Sequence, residues 1–160
     1  MSVLVNVSLA VKNDSKDIFQ WRNDSVTRAM SHSKEAVDWN GHSKWYEASL
    51  INENRLLVLC SLRENNEKIA FVRFDIENNS AIVSINLAPQ SRGKSLAKAC
   101  LINSIDYMYS KNASIVIIKA EIKVINIASQ KTFEGIGFML KNEDAAVKYY
   151  ELIKVDKLNY

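Results

Sequence analysis

The stretch over residues 82–97 constrains the fold of this 160-residue chain more than any other. It begins as an apolar strand, turns at Pro89, passes through a short basic loop over 90–95 and continues into a helix. Gly93 lets the backbone approach a ligand closely, and the first N–H groups of a helix have no partner within it. A helix start with Arg92 and Lys94 beside it therefore predicts an anion site, for which phosphate is the usual ligand.

A second strand and a second motif follow this loop. Apolar spacing predicts a helix over 94–111 and a buried strand over 115–122, so the chain here forms a βαβ-like unit. In the next run, Asn126 is placed to cap a short helix by accepting from its free N–H groups. Gly135 or Gly137 is placed to end that helix, and Phe138 begins a further strand.

These two motifs together resemble the signatures of the GNAT acetyltransferase superfamily. Gln90, Gly93 and Ser95 match its pyrophosphate loop, Gln/Arg-x-x-Gly-x-Gly/Ala, except that serine stands at the last small position. The run over 126–138 is similar to its second signature, Asn-x-x-Ala-x-x-x-Tyr/Phe-x-x-x-Gly-Phe. The resemblance covers roughly residues 50–155. It implies an α/β fold in which a mixed, mostly antiparallel sheet with splayed central strands is flanked by helices.

The remaining elements fit that architecture. We expect a first strand over 3–9, helices over 15–23 and 43–52 with a weakly helical 25–30 between them, and three antiparallel strands over 56–62, 68–76 and 81–87. Apolar segments over 145–152 and 153–157 close the chain. We expect one domain over 1–160, in which residues 1–50 select the acceptor and 51–155 form the core that binds acetyl-CoA.

Composition excludes several classes of function. The formal net charge of +3 is too small and too scattered to indicate a nucleic-acid partner, and no apolar run reaches the ~20 residues of a membrane span. The start Met1-Ser-Val-Leu lacks an export signal, so we expect a cytoplasmic protein. Cys60 and Cys100 are interpreted as buried thiols in core elements, and no metal site is expected.

The resemblance implies where acetyl-CoA binds. The loop holds the diphosphate, the pantetheine arm pairs with backbone near the end of the preceding strand, and an N–H there stabilises the oxyanion. Asn126 contacts the pantetheine or a bridging water. The cofactor-binding residues expected are Asn86, Leu87, Gln90, Ser91, Arg92, Gly93, Lys94, Ser95 and Asn126.

The chemistry expected is direct attack of an amine on the thioester, with no covalent enzyme intermediate. Glu121, at the end of the strand beside the cleft, is the candidate base, because desolvation in a cleft would raise its pKa. Ser84 could orient a water. Many relatives use a tyrosine as the acid for the leaving thiolate, but that slot holds Phe133 here, so Tyr149 from the last strands or a water must donate.

The N-terminal third is expected to choose the acceptor. Trp21-Arg22-Asn23-Asp24 and His42-x-x-Trp45 resemble both the amino-sugar acetyltransferases of pseudaminic-type pathways and the protein N-terminal acetyltransferases. Arginine can pair with a diphosphate, and tryptophan can stack on a base or sugar. The substrate-binding residues expected are therefore Trp21, Arg22, Arg28, His42 and Trp45.

Three functions stay open at this point. A nucleotide-linked amino-deoxy-sugar is favoured as the acceptor, because no acidic cluster is present to receive a basic peptide terminus. A protein N-terminus is the alternative. Phe133 in place of tyrosine also leaves open a non-catalytic acyl-CoA-binding module. Pairing into a homodimer is possible, but no contact surface can be recognised from the sequence.

Overall fold

A seven-stranded sheet forms the centre of the computed structural model, which describes residues 4–155. The strand order across the sheet is β1-β2-β3-β4-β5-β7-β6, and every neighbouring pair except β4 and β5 is antiparallel. This confirms the predicted mixed, mostly antiparallel sheet. The strands are β1 Val5–Leu9, β2 Arg55–Leu62, β3 Lys68–Glu77, β4 Ser80–Leu87, β5 Ile117–Lys123, β6 Met139–Glu143 and β7 Val147–Ile153.

Within residues 4–155, five α-helices cover the two faces of the sheet. They are α1 Ser15–Asn23, α2 Ser25–Met30, α3 Trp39–Leu50, α4 Ala97–Lys111 and α5 Ile127–Gly135, with 3₁₀ turns at Lys12–Asp14 and Pro89–Ser91. One face carries the larger apolar core, in which Leu101 and Met108 of α4 meet Val72 and Val83 of the sheet. The opposite face packs under α1 and α3. None of the helices described between residues 4 and 155 is both long and apolar enough to cross a membrane.

The meander β2-β3-β4 follows from its turn residues. Asn66 and Asn78 have positive φ angles of 59° and 55°, a conformation that asparagine tolerates better than most residues. Each therefore closes a tight turn between long antiparallel strands. Arg73 of β3 is paired with Ser84 of β4, so both side chains point to the face of α1 and α3.

The sheet opens between β4 and β5. These parallel strands are paired only from Ser80 with Ile117 to Ile82 with Lys119. Beyond those pairs, residues 83–87 and 120–123 continue without pairing to each other in the described chain. The splayed central strands expected from the resemblance are thus present, and a gap widens toward the carboxyl ends of both strands.

Several element boundaries differ from the sequence-based expectation. Helix α3 begins at Trp39 because Asp38 Oδ1 accepts from Gly41 N at 2.6 Å and caps it. Helix α4 begins at Ala97 rather than 94. The closing apolar residues form one strand, β7, which ends at Ile153. The second strand-like segment expected over 153–157 is therefore not formed by residues 154 and 155, and the prediction is wrong for them. Residues 156–157 and the predicted strand start at residue 3 lie outside the described range.

Candidate active site

A cavity of about 330 Å³ occupies the gap between β4 and β5. Its floor is formed by strand residues on the face toward α1 and α3, and its walls are formed by α2, the segment over 31–37 and the start of α5. Seven of the predicted catalytic and binding residues line it, namely Arg22, Arg28, Trp45, Ser84, Asn86, Glu121 and Asn126, and so does Phe133. The structure therefore brings the predicted catalytic strand ends and part of the predicted acceptor region to one place.

The loop before α4 has the geometry of an anion cradle. Gly93 and Ser95 both have positive φ angles, of 70° and 57°. Apart from Gly93 itself and its two chain neighbours, no residue has an atom within 4 Å of the point that a Cβ on Gly93 would occupy. The backbone N–H groups of residues 93–96 donate to no acceptor within residues 4–155. Exposed N–H groups in left-handed turns, followed by a helix start, are suited to phosphate oxygens.

The loop differs from the expectation in the role of Arg92. Its guanidinium turns back and donates to Asp24 Oδ2, and to Thr27 Oγ1 at 2.7 Å, at the start of α2. That hydrogen bond from Arg92 is the main reason that the pKa of Asp24 is lowered. Arg92 therefore ties the loop to α2 with its charge compensated. Gln90, Gly93, Lys94 and Ser95 are exposed, whereas Ser91 is buried.

Asn126 occupies a position that is compatible with both of the roles expected from the sequence. Its Oδ1 accepts from Ser129 N at 3.2 Å and so caps α5. The residue also lines the cavity, and within residues 4–155 its Nδ2 donates to no acceptor. Leu87, by contrast, packs its side chain against the larger core, which leaves only its backbone to face a ligand.

Of the expected catalytic residues, Glu121 and Ser84 line the cavity, whereas Tyr149 does not. Glu121 lines the cavity but is exposed, so the desolvated cleft expected around it is absent. Tyr149 lies outside the cavity and donates to Asp144 Oδ2 at 3.2 Å. Phe133, in the usual tyrosine slot, is buried in edge-to-face contact with Phe138. Among residues 4–155 no tyrosine lines the cavity, so Tyr149 is not placed to protonate a leaving thiolate.

Two expected acceptor residues are buried in the second core instead. Trp21 packs with Ile18 and Tyr46, and its ring contributes to this core rather than to the cavity. His42 has no exposed surface. Its Nε2 lies 3.0 Å from the carbonyl oxygen of Ser15. Neither side chain can contact an acceptor in this arrangement, which corrects the expectation that both bind substrate.

The buried His42 leads to a prediction about pH. Burial, assisted by the charge of Arg22 and opposed by the hydrogen bond to Ser15, lowers the pKa of His42 below its usual 6.5. The unfolded chain then binds a proton at a higher pH than the folded protein does. The free energy of unfolding should therefore fall as the pH drops below about 6.5, with a slope of at most about 1.4 kcal/mol per pH unit from this residue. Urea unfolding between pH 7 and pH 5.5 measures the slope.

The variant His42→Gln provides the comparison, because it lacks the titrating ring. Its slope over the same pH range should be shallower than that of the parent protein. Equal slopes in the two proteins would show that other groups account for the acid sensitivity.

Sequence reasoning missed several lining residues, of which Phe71 and Arg73 of β3 are the most informative. Arg73 lies 3.2 Å through Nε from Asp75 Oδ2, and burial is the main reason that its pKa is lowered. The sequence feature that could have predicted these lining residues is the pattern Phe71-Val72-Arg73-Phe74-Asp75. Its charged residues alternate with fully buried ones, which indicates a polar patch on one face of a central strand. Within residues 4–155 no group of three or more His, Cys, Asp or Glu is placed to hold a metal ion.

Comparison with known proteins agrees with this geometry. The family described as Acetyltransferase (GNAT) domain matches residues 6–139. A domain from Methanocaldococcus jannaschii DSM 2661 superposes with a TM-score of 0.82 at 23% identity, over 96% of this chain and 100% of that one. A spermidine N-acetyltransferase from Vibrio cholerae, in complex with CoA and spermine, gives a TM-score of 0.84 at 15% identity, over 93% and 95% of the two chains.

A third solved structure, aminoglycoside acetyltransferase AAC(6')-Ib in complex with coenzyme A, gives a TM-score of 0.80 at 14% identity, over 94% of this chain and 95% of that one. A search of the curated proteins gives no match. At these identities the solved structures establish the shared fold, and the family match covers most of the chain.

Proposed function

Because the chain belongs to the GNAT acetyltransferase family, we propose that its cavity brings acetyl-CoA to the primary amine of a nucleotide-linked amino-deoxy-sugar. The protein is an acetyl-CoA-dependent N-acetyltransferase that acts on an amine. The identity of that amine is the proposal, and the observation that carries it is the charge of the cavity.

Positive charge exceeds negative charge around the cavity. Among the described residues, four cationic side chains line it against two carboxylates, and these residues are Arg22, Arg28, Arg73, Lys123, Glu35 and Glu121. The buried Nε of Arg28 has no acceptor within residues 4–155. Arginine presents a fork of donors that suits phosphate. An acceptor that carries a diphosphate would supply the missing negative charge, whereas a polyamine or a basic peptide terminus would add to the excess.

We place acetyl-CoA with its diphosphate on the backbone N–H groups of residues 93–96. The pantetheine arm would enter the gap beside the backbone of Asn86 and Leu87 and reach the Nδ2 of Asn126. This position aims the thioester at the cavity floor, between the ends of β4 and β5. Holding both reactants in such proximity can account for roughly 7–11 kcal/mol of the barrier.

In the proposed reaction, the amine nitrogen attacks the thioester carbonyl carbon directly. The Glu121 carboxylate first takes a proton from the substrate ammonium, which frees the lone pair of the attacking nitrogen, and a backbone N–H at the end of β4 stabilises the oxyanion. Collapse of the tetrahedral intermediate breaks the carbon–sulfur bond. A water takes the second proton from the attacked nitrogen and delivers it to the leaving thiolate, since Phe133 has no proton to give and Tyr149 is outside the cavity. Ser84, on the cavity floor, would orient a water.

Two arginine substitutions test the acceptor. Arg22→Ala and Arg28→Ala should each raise the KM for a UDP- or TDP-linked amino-sugar about tenfold or more, because a charge-assisted contact worth roughly 1.5–3 kcal/mol is lost. The KM for acetyl-CoA should not change. Arg63→Ala is the matched control, since Arg63 is exposed and contacts Asn6 across the edge of the sheet. Steady-state release of CoA thiol measures all three variants.

The same assay discriminates the alternatives. Turnover of peptides with a free N-terminus, and of no sugar nucleotide, would replace this proposal with N-terminal acetylation. CoA binding without turnover of any amine in a broad panel would favour a binding module. Turnover of spermidine with no effect of either arginine variant would also rule out the sugar nucleotide.

Self-association and a cytoplasmic location stay predictions. Strand β6 has no partner on its outer side within the described sheet, and its Met139 is 65% exposed. A free edge strand of this kind can pair with another copy. Sedimentation of the purified protein would show whether it does.

A further inference from the structure

The guanidinium of Arg22 contacts two aromatic side chains of α3. Its Cζ lies 4.4 Å from the centroid of the Trp45 ring, and its Nη1 lies 3.2 Å from His42 Nδ1. The arginine ion pairs within residues 4–155 join Arg55 and Arg73 to Asp75, and Arg92 to Asp24, so none of them neutralises Arg22. Arg22 is thus fixed in place by neutral groups alone and keeps its full charge for the cavity.

The hydrogen bonds of His42 determine which of its nitrogens carries the proton. The Ser15 carbonyl oxygen can only accept, so Nε2 donates to it at 3.0 Å. An arginine Nη1 can only donate, so Nδ1 is the acceptor. His42 is therefore neutral, with its proton on Nε2, and presents its single lone pair to Arg22. A protonated ring would direct an N–H at the guanidinium and could not hold it.

Positive charge around Trp45 exceeds what the protein itself compensates. Arg55 and Arg73 also lie over this ring, at 5.7 and 5.9 Å from its centroid, and both share the single carboxylate of Asp75. Burial and the charge of Arg73 both lower the pKa of Arg22. Three guanidinium groups against one carboxylate repel one another, and an anionic ligand group between Arg22 and Arg73 would relieve that repulsion.

We infer that His42 is a positioning residue for the acceptor: it never touches the substrate, but it holds Arg22 in the orientation that receives the anionic group. This inference rests on the proposed function for the presence of such a group. It gives the His42-x-x-Trp45 pattern a physical role. One turn of α3 presents a lone pair and an aromatic face to a single guanidinium, since residues three apart lie on the same side of a helix.

The test measures binding of uridine diphosphate to the full chain saturated with CoA, by isothermal titration calorimetry. Saturation with CoA occupies the loop over 93–96, so that the probe reports on the cavity. Arg22→Ala should weaken uridine diphosphate binding about tenfold or more. His42→Gln keeps an amide N–H within reach of the Ser15 carbonyl but has no acceptor at the Nδ1 position. It should weaken the binding at least threefold.

Two further variants separate positioning from folding. His42→Asn places a carbonyl oxygen close to the Nδ1 position and should restore binding to within about twofold of the parent. In an Arg22→Ala background, His42→Gln should cause no further loss, because the effect of His42 passes through Arg22. If His42→Gln does not fold, as judged by its thermal transition, His42→Ala takes its place in this cycle.

Additive losses in the double variant, an unchanged affinity in His42→Gln, or no binding of uridine diphosphate at all would each overturn the inference. Because the assay involves no acetyl transfer, it is independent of the acceptor test. Binding that depends on His42, with no turnover of any sugar nucleotide, would remove the proposed acceptor and keep the role of His42. If a sugar nucleotide is turned over but replacing His42 does not change uridine diphosphate binding, the proposed acceptor is kept and the role of His42 is lost.

Discussion

Replacing Gly93 by valine should abolish acetyl-CoA binding while the protein remains folded. The left-handed backbone at Gly93 costs a residue with a Cβ roughly 1–2 kcal/mol, but beyond the two chain neighbours no protein atom lies within 4 Å of the new Cβ. The proposed ligand, in contrast, needs that space and the N–H groups beside it. Loss of two charge-assisted hydrogen bonds amounts to about 3 kcal/mol or more, which weakens binding by roughly a hundredfold or more. Calorimetric titration with CoA measures the change.

Two controls separate backbone strain from the loss of ligand space. Gly93→Asn fills the same space with less strain, since asparagine already adopts positive φ at positions 66 and 78 of this chain. It should also lose CoA binding. Gly137→Ala introduces a Cβ at a φ of 106°, two residues beyond the end of α5, and should lower stability while CoA still binds. Normal CoA affinity in a folded Gly93→Asn protein would refute the assignment of the loop.

The second large effect is expected at Glu121. Replacing this carboxylate with the amide of glutamine should lower kcat by about 10²-fold or more, the usual scale for loss of a general base, and leave CoA binding unchanged. Glu121 lines the cavity from the part of β5 that is no longer paired with β4. The deficit should shrink at high pH, where the free amine no longer needs a base. Initial rates from pH 7 to pH 10 test this.

Glu47→Gln serves as the matched control for this substitution. Glu47 is exposed on α3 and lies outside the cavity, so the same chemical change there should leave the rate within twofold. A Glu121→Gln protein with a rate within about threefold of the parent, at every pH, would assign proton removal to an ordered water instead.

The sequence predicted the parts of the fold that are set by local chemistry. The three antiparallel strands over 56–87, the strand-to-loop transition at Pro89 and the cap at Asn126 all depend on residues close together in the chain. The predicted start of α4, at residue 94, was wrong because of the local backbone conformation. Residues with positive φ angles, such as Gly93 and Ser95, cannot be part of a right-handed helix. Serine rarely adopts a positive φ angle, so the sequence did not predict this conformation at Ser95.

The acceptor side of the cavity was harder to predict, because it depends on which side of a helix faces the sheet. Trp21 and Arg22 are neighbours in sequence, yet one is in the core and the other is at the cavity. Arg73 reaches the cavity through the register of β3 with β4, a long-range property. Strand β6 was not delimited, since all five of its residues are exposed and no alternation marks it.

The short pairing between β4 and β5 also has a mechanical consequence. Three residue pairs join a four-stranded half of the sheet, β1 to β4, to a three-stranded half, β5 to β7. Each half keeps its own ladder of hydrogen bonds, so a small rotation about this joint breaks none of them. Such a rotation would change the distance between the unpaired carboxyl ends of β4 and β5. The width of the gap therefore depends on a joint of three residue pairs rather than on a continuous central sheet.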